Sequence, residues 1–520
     1  MAQNNVLQYV GARYVPAFYQ NPNGTWEWLS GVQYEPLTIV KYGTNTYTSK
    51  RLVPSTIGSP NANSDYWALT GDYNGFILDL ENEIKGLNVK PIEYYGGKGD
   101  GVTDNSTALQ DAMSDSVDIL VFSSGRYGFS QPIILDNMQI AGNGTLFTLP
   151  SFVQDSWQCF IHNSHMIMNT YMDNISIRGV KIESTLSLLG GIIQLRGTES
   201  CEINHVRMEY TGYDTWGILS FSTNRNVKIS DCIIENSAQS LGGCVWVRSG
   251  LANAPESNVH IDGCILTTQS TDECIAIADS NNSPLNVTIS NTTCNFGSRA
   301  SFGMTVNSSA SENIVNVSLS NVVMVGTQSG AAISFNPAKK SYLSMSGCTI
   351  DCPTAVNGEV LATGCYINGN TYFIIAIGCI LRGKNENGSL HQSTIYGKVL
   401  NPTIIDSCHI LFSGNAVAIT ATLDLIVKNS IIESDATGIS APSSVNPANV
   451  ILIGNIVKKM TLSVNTNSRG ISVGTVTGCS IVDGNIIYQK TTGEPTIGMA
   501  SSMVYPGNTQ GVNYTVTDFV

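Results

Sequence analysis

The stretch from Ile175 to Ile487 states nearly the same pattern twelve times, and this repetition constrains the fold more than any other feature of the chain. Each copy reads apolar–x–apolar–x–turn–small–x–apolar, beginning at 175, 201, 227, 259, 287, 317, 343, 374, 403, 425, 450 and 480. Successive copies lie about 22 to 32 residues apart. In Val227-Lys-Ile229-Ser-Asp231-Cys232-Ile-Ile234 the first, third and eighth positions are apolar, and the third and eighth stay apolar in all twelve. The fifth position holds Gly179, His205, Asp231, Gly263, Asn291, Asn321, Gly347, Gly378, Ser407, Asn429, Gly454 and Gly484. Gly, Asn and Asp accept a left-handed backbone at little cost, so each copy predicts two short strands joined by a one-residue bend.

A third strand follows after a loop of variable length: Gly191-Ile-Ile193-Gln-Leu195, Gly217-Ile-Leu219-Ser-Phe221, Gly243-Cys-Val245-Trp-Val247 and Cys274-Ile275-Ala-Ile277. Three strands per turn, with length variation confined to one loop, predict an all-β fold, a right-handed single-stranded parallel β-helix. A leucine-rich repeat would require a Leu lattice and helical segments that this sequence does not offer.

Charged residues make up only 12 % of the chain, and the net charge of −13 argues against nucleic-acid binding. Five of the thirteen cysteines, Cys232, Cys264, Cys348, Cys379 and Cys408, fall at the inward sixth position and read as core thiols rather than bridges. The start Met1-Ala-Gln-Asn-Asn lacks the basic and apolar regions of a secretion signal, and no run approaches a membrane span.

Residues 1–72 differ in character, with Tyr9, Tyr14, Phe18, Tyr19, Trp26, Trp28, Tyr34, Tyr42, Tyr47, Tyr66 and Trp67 among short β-like runs. The order Trp28…Tyr34…Tyr42…Tyr47…Trp67 resembles the small aromatic β-modules of chitin-binding domains and of phage tail proteins. In so small a module most rings must form the core, leaving few to stack on sugars. Residues 73–89 predict a short helical linker, with Ile77, Leu80, Ile84 and Leu87 on a coiled-coil-like seam.

Gly99-Asp100-Gly101…Asp104-Asn105-Ser106…Ala108-Leu109-Gln110 resembles the entry motif of the pectate-lyase-like superfamily. That resemblance implies first coils over 90–150, capped by a helix at 104–113, then β-helix over 151–510 and a tail at 511–520. Thr103 or Asp104 can cap the helix, and Asp100 and Asp104 read as turn residues rather than catalysts. Together with Tyr9-Val-Gly-Ala-Arg-Tyr-Val-Pro16, Tyr34-Glu-Pro-Leu-Thr-Ile-Val40 and Tyr66-Trp-Ala-Leu-Thr-Gly-Asp-Tyr-Asn74, the chain resembles tail-fibre, tail-spike and pre-neck appendage proteins of short-tailed phages of Gram-positive bacteria. The resemblance implies a homotrimeric receptor-binding spike that docks to virion tail or neck proteins through residues 1–72. It also implies a host surface glycan or teichoic acid as the partner outside the cell, often as a substrate.

The candidate chemistry sits at the ninth, outward position, which carries Glu183, Glu209 and Glu235 in successive coils, about 5 Å apart. Stacked carboxylates raise one another's pKa, and spacings of about 5 to 10 Å suit glycosidic cleavage. Lys181 and Arg207 stand beside the first two acids, whereas Ile233 stands beside the third. This asymmetry predicts Glu209 as base or nucleophile and Glu235 as acid, with Glu183 or Asp214 as the alternative partner. Tyr210, Tyr213, Trp216, Trp246, Arg248, Arg196 and Arg207 are the expected substrate-binding side chains, with Gln194, Ser220 and Ser222 also outward. Asp272, Glu273 and Asp279 form a second, weaker cluster. The plainer alternative for the glutamates is a ladder of surface ion pairs, each contributing little. No metal-ligand spacing or cofactor motif stands out, and His205 reads as a bend residue. A depolymerising spike, a non-catalytic adhesin of the same fold, and a cellular pectin-degrading enzyme remain as function classes.

Overall fold

The computed structural model describes residues 17–72 except Asn23, 88–163 except 136–137, 175–221 and, from 224 to 499, mainly strands and short turns; two short strands precede residue 17. Residues 73–87, 164–174, several loops from 239 onward and 500–520 lie outside the description. The linker helix expected at 73–89 and the tail at 511–520 therefore fall almost wholly or wholly outside it. The chain divides into two compact units, Met1–Val89 and Lys90–Val520.

The second unit is the parallel β-helix. Its described strands form three parallel sheets, A and B of 15 members each and C of 14. Sheet A holds the first strand of each repeat, such as Asn226–Ser230; sheet B the second, such as Ile233–Asn236; and sheet C the third, such as Val245–Arg248. Strands pair with their counterparts one coil away, in register apart from shifts at Arg126/Gly128 and Ser341/Tyr342, so Ile203, Ile229 and Ile261 stack and are fully buried. All twelve bend residues have positive φ, between 48° and 76°. His205 is one of them, at 53°.

The sixth position turns inward directly after each bend. Among the described residues all ten cysteines are free and buried. Cys232, Cys264 and Cys408 donate their S–H groups to backbone carbonyls, which suits a small side chain beside exposed strand ends. Towards the end of the coil asparagine replaces the thiol. Asn455 Oδ1 accepts from the Ser430 N–H at 3.0 Å, and Asn485 Oδ1 from the Asn455 N–H at 3.0 Å.

The capping helix runs Ser106–Ser114 rather than 104–113, with Ala108, Leu109 and Ala112 buried against the first coil. Asn105 occupies the cap position, but its side-chain oxygen is taken by the Lys98 N–H at 2.7 Å. Asp104 serves the helix instead, accepting from the Ser106 N–H at 3.0 Å and from the Ser130 hydroxyl. Asp100 accepts from the Thr103 hydroxyl and from the Thr103 and Val102 N–H groups, which lower its pKa to about 2. Both aspartates are turn residues.

The first unit is a sheet of four strands, Ala17–Phe18, Thr38–Tyr42, Asn45–Ser49 and Trp67–Asp72. Tyr19, Tyr34, Tyr47 and Trp67 are buried in its core, with Tyr34 edge-on to Tyr19 and to Trp67 at 5.1 and 5.3 Å. Phe18 and Trp26 form an exposed edge-to-face pair at 4.3 Å.

Candidate functional site

The glutamate column forms on sheet B as expected: Glu183, Glu209 and Glu235 are register partners in three consecutive coils. The bases two residues earlier form a second column, so Glu183 and Glu209 each lie between two cations and Glu235 meets Arg207. Arg126 and Lys181 each reach Glu183 at 2.8 Å, and Lys181 also reaches Glu209 at 2.7 Å. Arg207 bridges Glu209 at 2.7 Å and Glu235 at 3.3 Å. Arg207 is long enough to serve two coils, so Glu235 has a basic neighbour too, at a longer distance than Glu209 has. Mutual repulsion does not raise Glu183 or Glu209 either. Burial pushes Glu183 up, but Lys181 and Arg126 outweigh it and hold the carboxyl below its usual range. Lys181, and then Arg207, do the same for Glu209. An ionised, cation-saturated carboxylate is a poor proton donor.

The expected aromatic bed also separates. Tyr210 is buried, its hydroxyl donating to the Gly243 carbonyl, and Trp216 is buried among the loops. Neither can stack on a bound sugar. Tyr213 remains exposed, and Arg248 lies 5.0 Å over the half-buried ring of Trp246. Arg196 is half-buried, 4.2 Å over Trp157, and Arg207 belongs to the ion-pair ladder.

Sheet C differs by one residue from the expected register. Ile218, not Leu219, pairs with Ile193 and Val245, which moves every neighbour to the other face. Ser220 is therefore buried, not outward, and accepts from Asn224 Nδ2 at 3.0 Å. Ser222 lies outside the described residues. The outer row reads His162, Gln194, Leu219, Trp246, Ala276, Thr305. Gln194 belongs to that row but is covered, donating to the Gly190 carbonyl at 3.0 Å.

The loops between sheets B and C stack against this row. Asp214, in the left-handed region at φ 51°, donates its N–H to the Leu241 carbonyl at 2.9 Å. The next N–H, that of Gly242, donates to Asp272 Oδ2 at 2.7 Å. A Cβ on Gly243 would lie 2.0 Å from the Glu273 carbonyl oxygen and 2.4 Å from the Trp216 ring, so only glycine allows this layering. Trp216 and Trp246 pack with ring centroids 5.2 Å apart.

Within this layer the acids behave oppositely to the ladder. Burial and then the charge of Asp272 push Glu273 up to about 7, although the Thr305 hydroxyl pulls the other way. Burial and Asp272 also raise Asp214. The site therefore brings together Asp214, Asp272, Glu273, Trp246 and Arg248. Asp279 pairs in register with Ser308, but its side chain is not among those described. Thr305, which sequence reasoning missed, carries no signal beyond its place in the outer row. Sequence reasoning also missed Asp155, Cys159 and His162, whose ligand atoms converge within 4.8 Å.

Residues 88–306 match the family model described as rhamnogalacturonase A/epimerase, pectate lyase-like. The match covers less than half of the chain. Both acid clusters and sheet C up to Val306 lie inside it. No curated protein matches the sequence. Among solved structures, tailspike protein 3 of bacteriophage CBA120 is 14 % identical, with a TM-score of 0.46, covering 92 % of this chain and 80 % of that one. The tailspike protein gp49 of Pseudomonas phage LKA1 is 11 % identical, with a TM-score of 0.46 and coverages of 79 % and 83 %. The surface adhesin PfbA of Streptococcus pneumoniae is 12 % identical, with a TM-score of 0.34 and coverages of 77 % and 93 %. No helix among the described residues is long and apolar enough to cross a membrane.

Proposed function

We propose that this protein is a receptor-binding tail spike of a phage, which holds a host surface polysaccharide or teichoic acid against the loop layer over sheet C, at Trp246 and Arg248, and cleaves it. The observation that carries the catalytic part is Glu273, a covered carboxyl poised near 7 beside Asp272 and Asp214. A carboxyl with that pKa is half protonated at neutral pH, which suits a general acid. Glu273 donates its proton to the leaving glycosidic oxygen as the C–O bond breaks. A water molecule adds to the sugar carbon and gives its proton to the Asp214–Asp272 pair. Trp246 offers a ring face and Arg248 a cation beside it, a combination that fits an anionic glycan or polyol phosphate.

The phage assignment rests on the resemblance of the first 113 residues, and so do docking to the virion through residues 1–72 and assembly as a homotrimer. Light scattering on the full-length protein tests the trimer, and a monomer would count against it. The catalytic reading is tested with wall teichoic acid and capsular polysaccharide from Gram-positive hosts, following chain length by size exclusion. The wild-type protein shortens its polymer, whereas Glu273→Gln binds it equally well and cleaves about 100-fold or more slowly. Binding without shortening by the wild-type protein would make it an adhesin.

A further inference from the structure

The first coils hold a second constellation that the cleavage chemistry does not use. We infer that Asp155, Cys159 and His162 bind one divalent metal ion of the zinc class, with one coordination position left open. The carboxylate oxygen, thiol sulfur and imidazole nitrogen all lie within 4.8 Å of one another. Bond lengths of about 2.0–2.3 Å in a tetrahedral zinc site place its ligand atoms roughly 3.3–3.8 Å apart, so the widest separation must close and the Asp155–His162 pair, 2.8 Å apart, must open slightly. Oxygen, sulfur and nitrogen together form a borderline donor set, which favours zinc over calcium or magnesium.

The surroundings hold the three side chains in place. The Trp157 N–H donates to Asp155 Oδ1 at 2.8 Å, leaving Oδ2 directed at His162 Nε2, 2.8 Å away. Gln158, at φ 54°, bends the chain so that Cys159 turns inward, and the Gly190 N–H fixes the Gln158 carbonyl at 2.9 Å. Such outer contacts orient ligands in metal sites. Cys159 and His162 are buried, and neither ring nitrogen of His162 makes a hydrogen bond among the described residues, Nε2 meeting Asp155 only as an ion-pair contact. A buried ring nitrogen without a partner is costly unless something coordinates it. Asp155 is the accessible member, with 32 % of its side chain exposed. It lines a cleft of about 350 Å³ beneath Leu109 and Met113 of the capping helix, which gives an ion a way in.

On binding, the Cys159 S–H bond breaks, its proton passes to solvent, and the thiolate and carboxylate together balance the two positive charges of the ion. Arg196, whose charge also acts on Cys159, remains as a cation on the sheet C side.

The test uses the full-length protein, stripped with chelator and titrated with Zn²⁺ alone or with Co²⁺ alone. One ion is taken up per chain, the unfolding temperature rises, and the cobalt form shows a near-ultraviolet thiolate band. Cys159→Ser abolishes that band, and His162→Gln weakens binding about 100-fold. Retention of the band in Cys159→Ser would assign it to another of the buried thiols and overturn the site, as would an absence of uptake. If either buried substitution prevents folding, Asp155→Asn at the accessible position carries the test. A drop of about 10-fold or more supports the site, and unchanged affinity overturns it.

Discussion

The glutamates of sheet B and the acids of the neighbouring loops are the same chemistry in two settings. On the strand surface Glu183 and Glu209 are each held between two cations at a spacing that the coil repeats, and both are driven towards ionisation. In the loops, burial and like charge drive Glu273 and Asp214 towards protonation. Regularity produces pairing, and irregularity leaves a reactive acid without a saturating partner. The regular stack is occupied by ion pairs, and the acids that are pushed towards protonation lie where the repeat breaks.

The two regions share one core, and the largest expected effect comes from removing it. Ile229→Asp buries an unpaired charge at a fully buried position, costs several kcal/mol and leaves no soluble coil carrying either region, as circular dichroism would show. A finer separation uses pH. The folded pKa of Glu273 is raised, so its contribution is favourable below the unfolded carboxyl pKa of about 4.3 and is lost as pH rises through about 7. Glu273→Gln should match the wild-type protein near pH 4 and exceed its stability by up to about 3 kcal/mol above pH 8, measured by chemical denaturation.

Trp246→Ala should weaken polymer binding about 10-fold while sparing turnover of bound chains, because the ring supplies contact area rather than a proton. The smallest effect belongs to the ladder. Glu209→Gln removes two ion pairs that are partly open to solvent and costs about 1 kcal/mol or less. The folded pKa of Glu209 is depressed, so its stabilisation is present above about 4.3 and is lost as pH falls through the folded value. Cleavage should survive Glu209→Gln combined with Glu235→Gln, and its loss would return the active site to sheet B.

Legibility in the sequence follows the same division. The bends were readable because a left-handed residue is a hard local demand, met by Gly, Asn or Asp at ten of twelve positions and by His205 and Ser407 at the others. The ion-pair columns were readable because register converts sequence spacing into neighbours. The third strand was misread at Ile218-Leu219, two adjacent apolar residues that fit either face. What decides between them is Asn224, six residues beyond Ile218, which satisfies the buried Ser220 hydroxyl. The raised pKa of Glu273 was not readable, because it depends on how three loops cover one another. Asp155, Cys159 and His162 precede the first repeat, so no periodic pattern drew attention to them.

The constant register also bears on how the chain reaches this structure. Every described strand of the repeats pairs with a counterpart only about 20 to 32 residues away, so no coil must wait for a distant segment of sequence. Assembly can spread like a zipper from the capped first turn, and each new coil needs only the template below it. At synthesis rates of about 5–20 residues per second a fresh coil becomes available every few seconds, ample time for it to settle before the next emerges. The growing end is always one unpaired edge, and that edge, rather than the completed solenoid, is the surface most exposed to aggregation during synthesis.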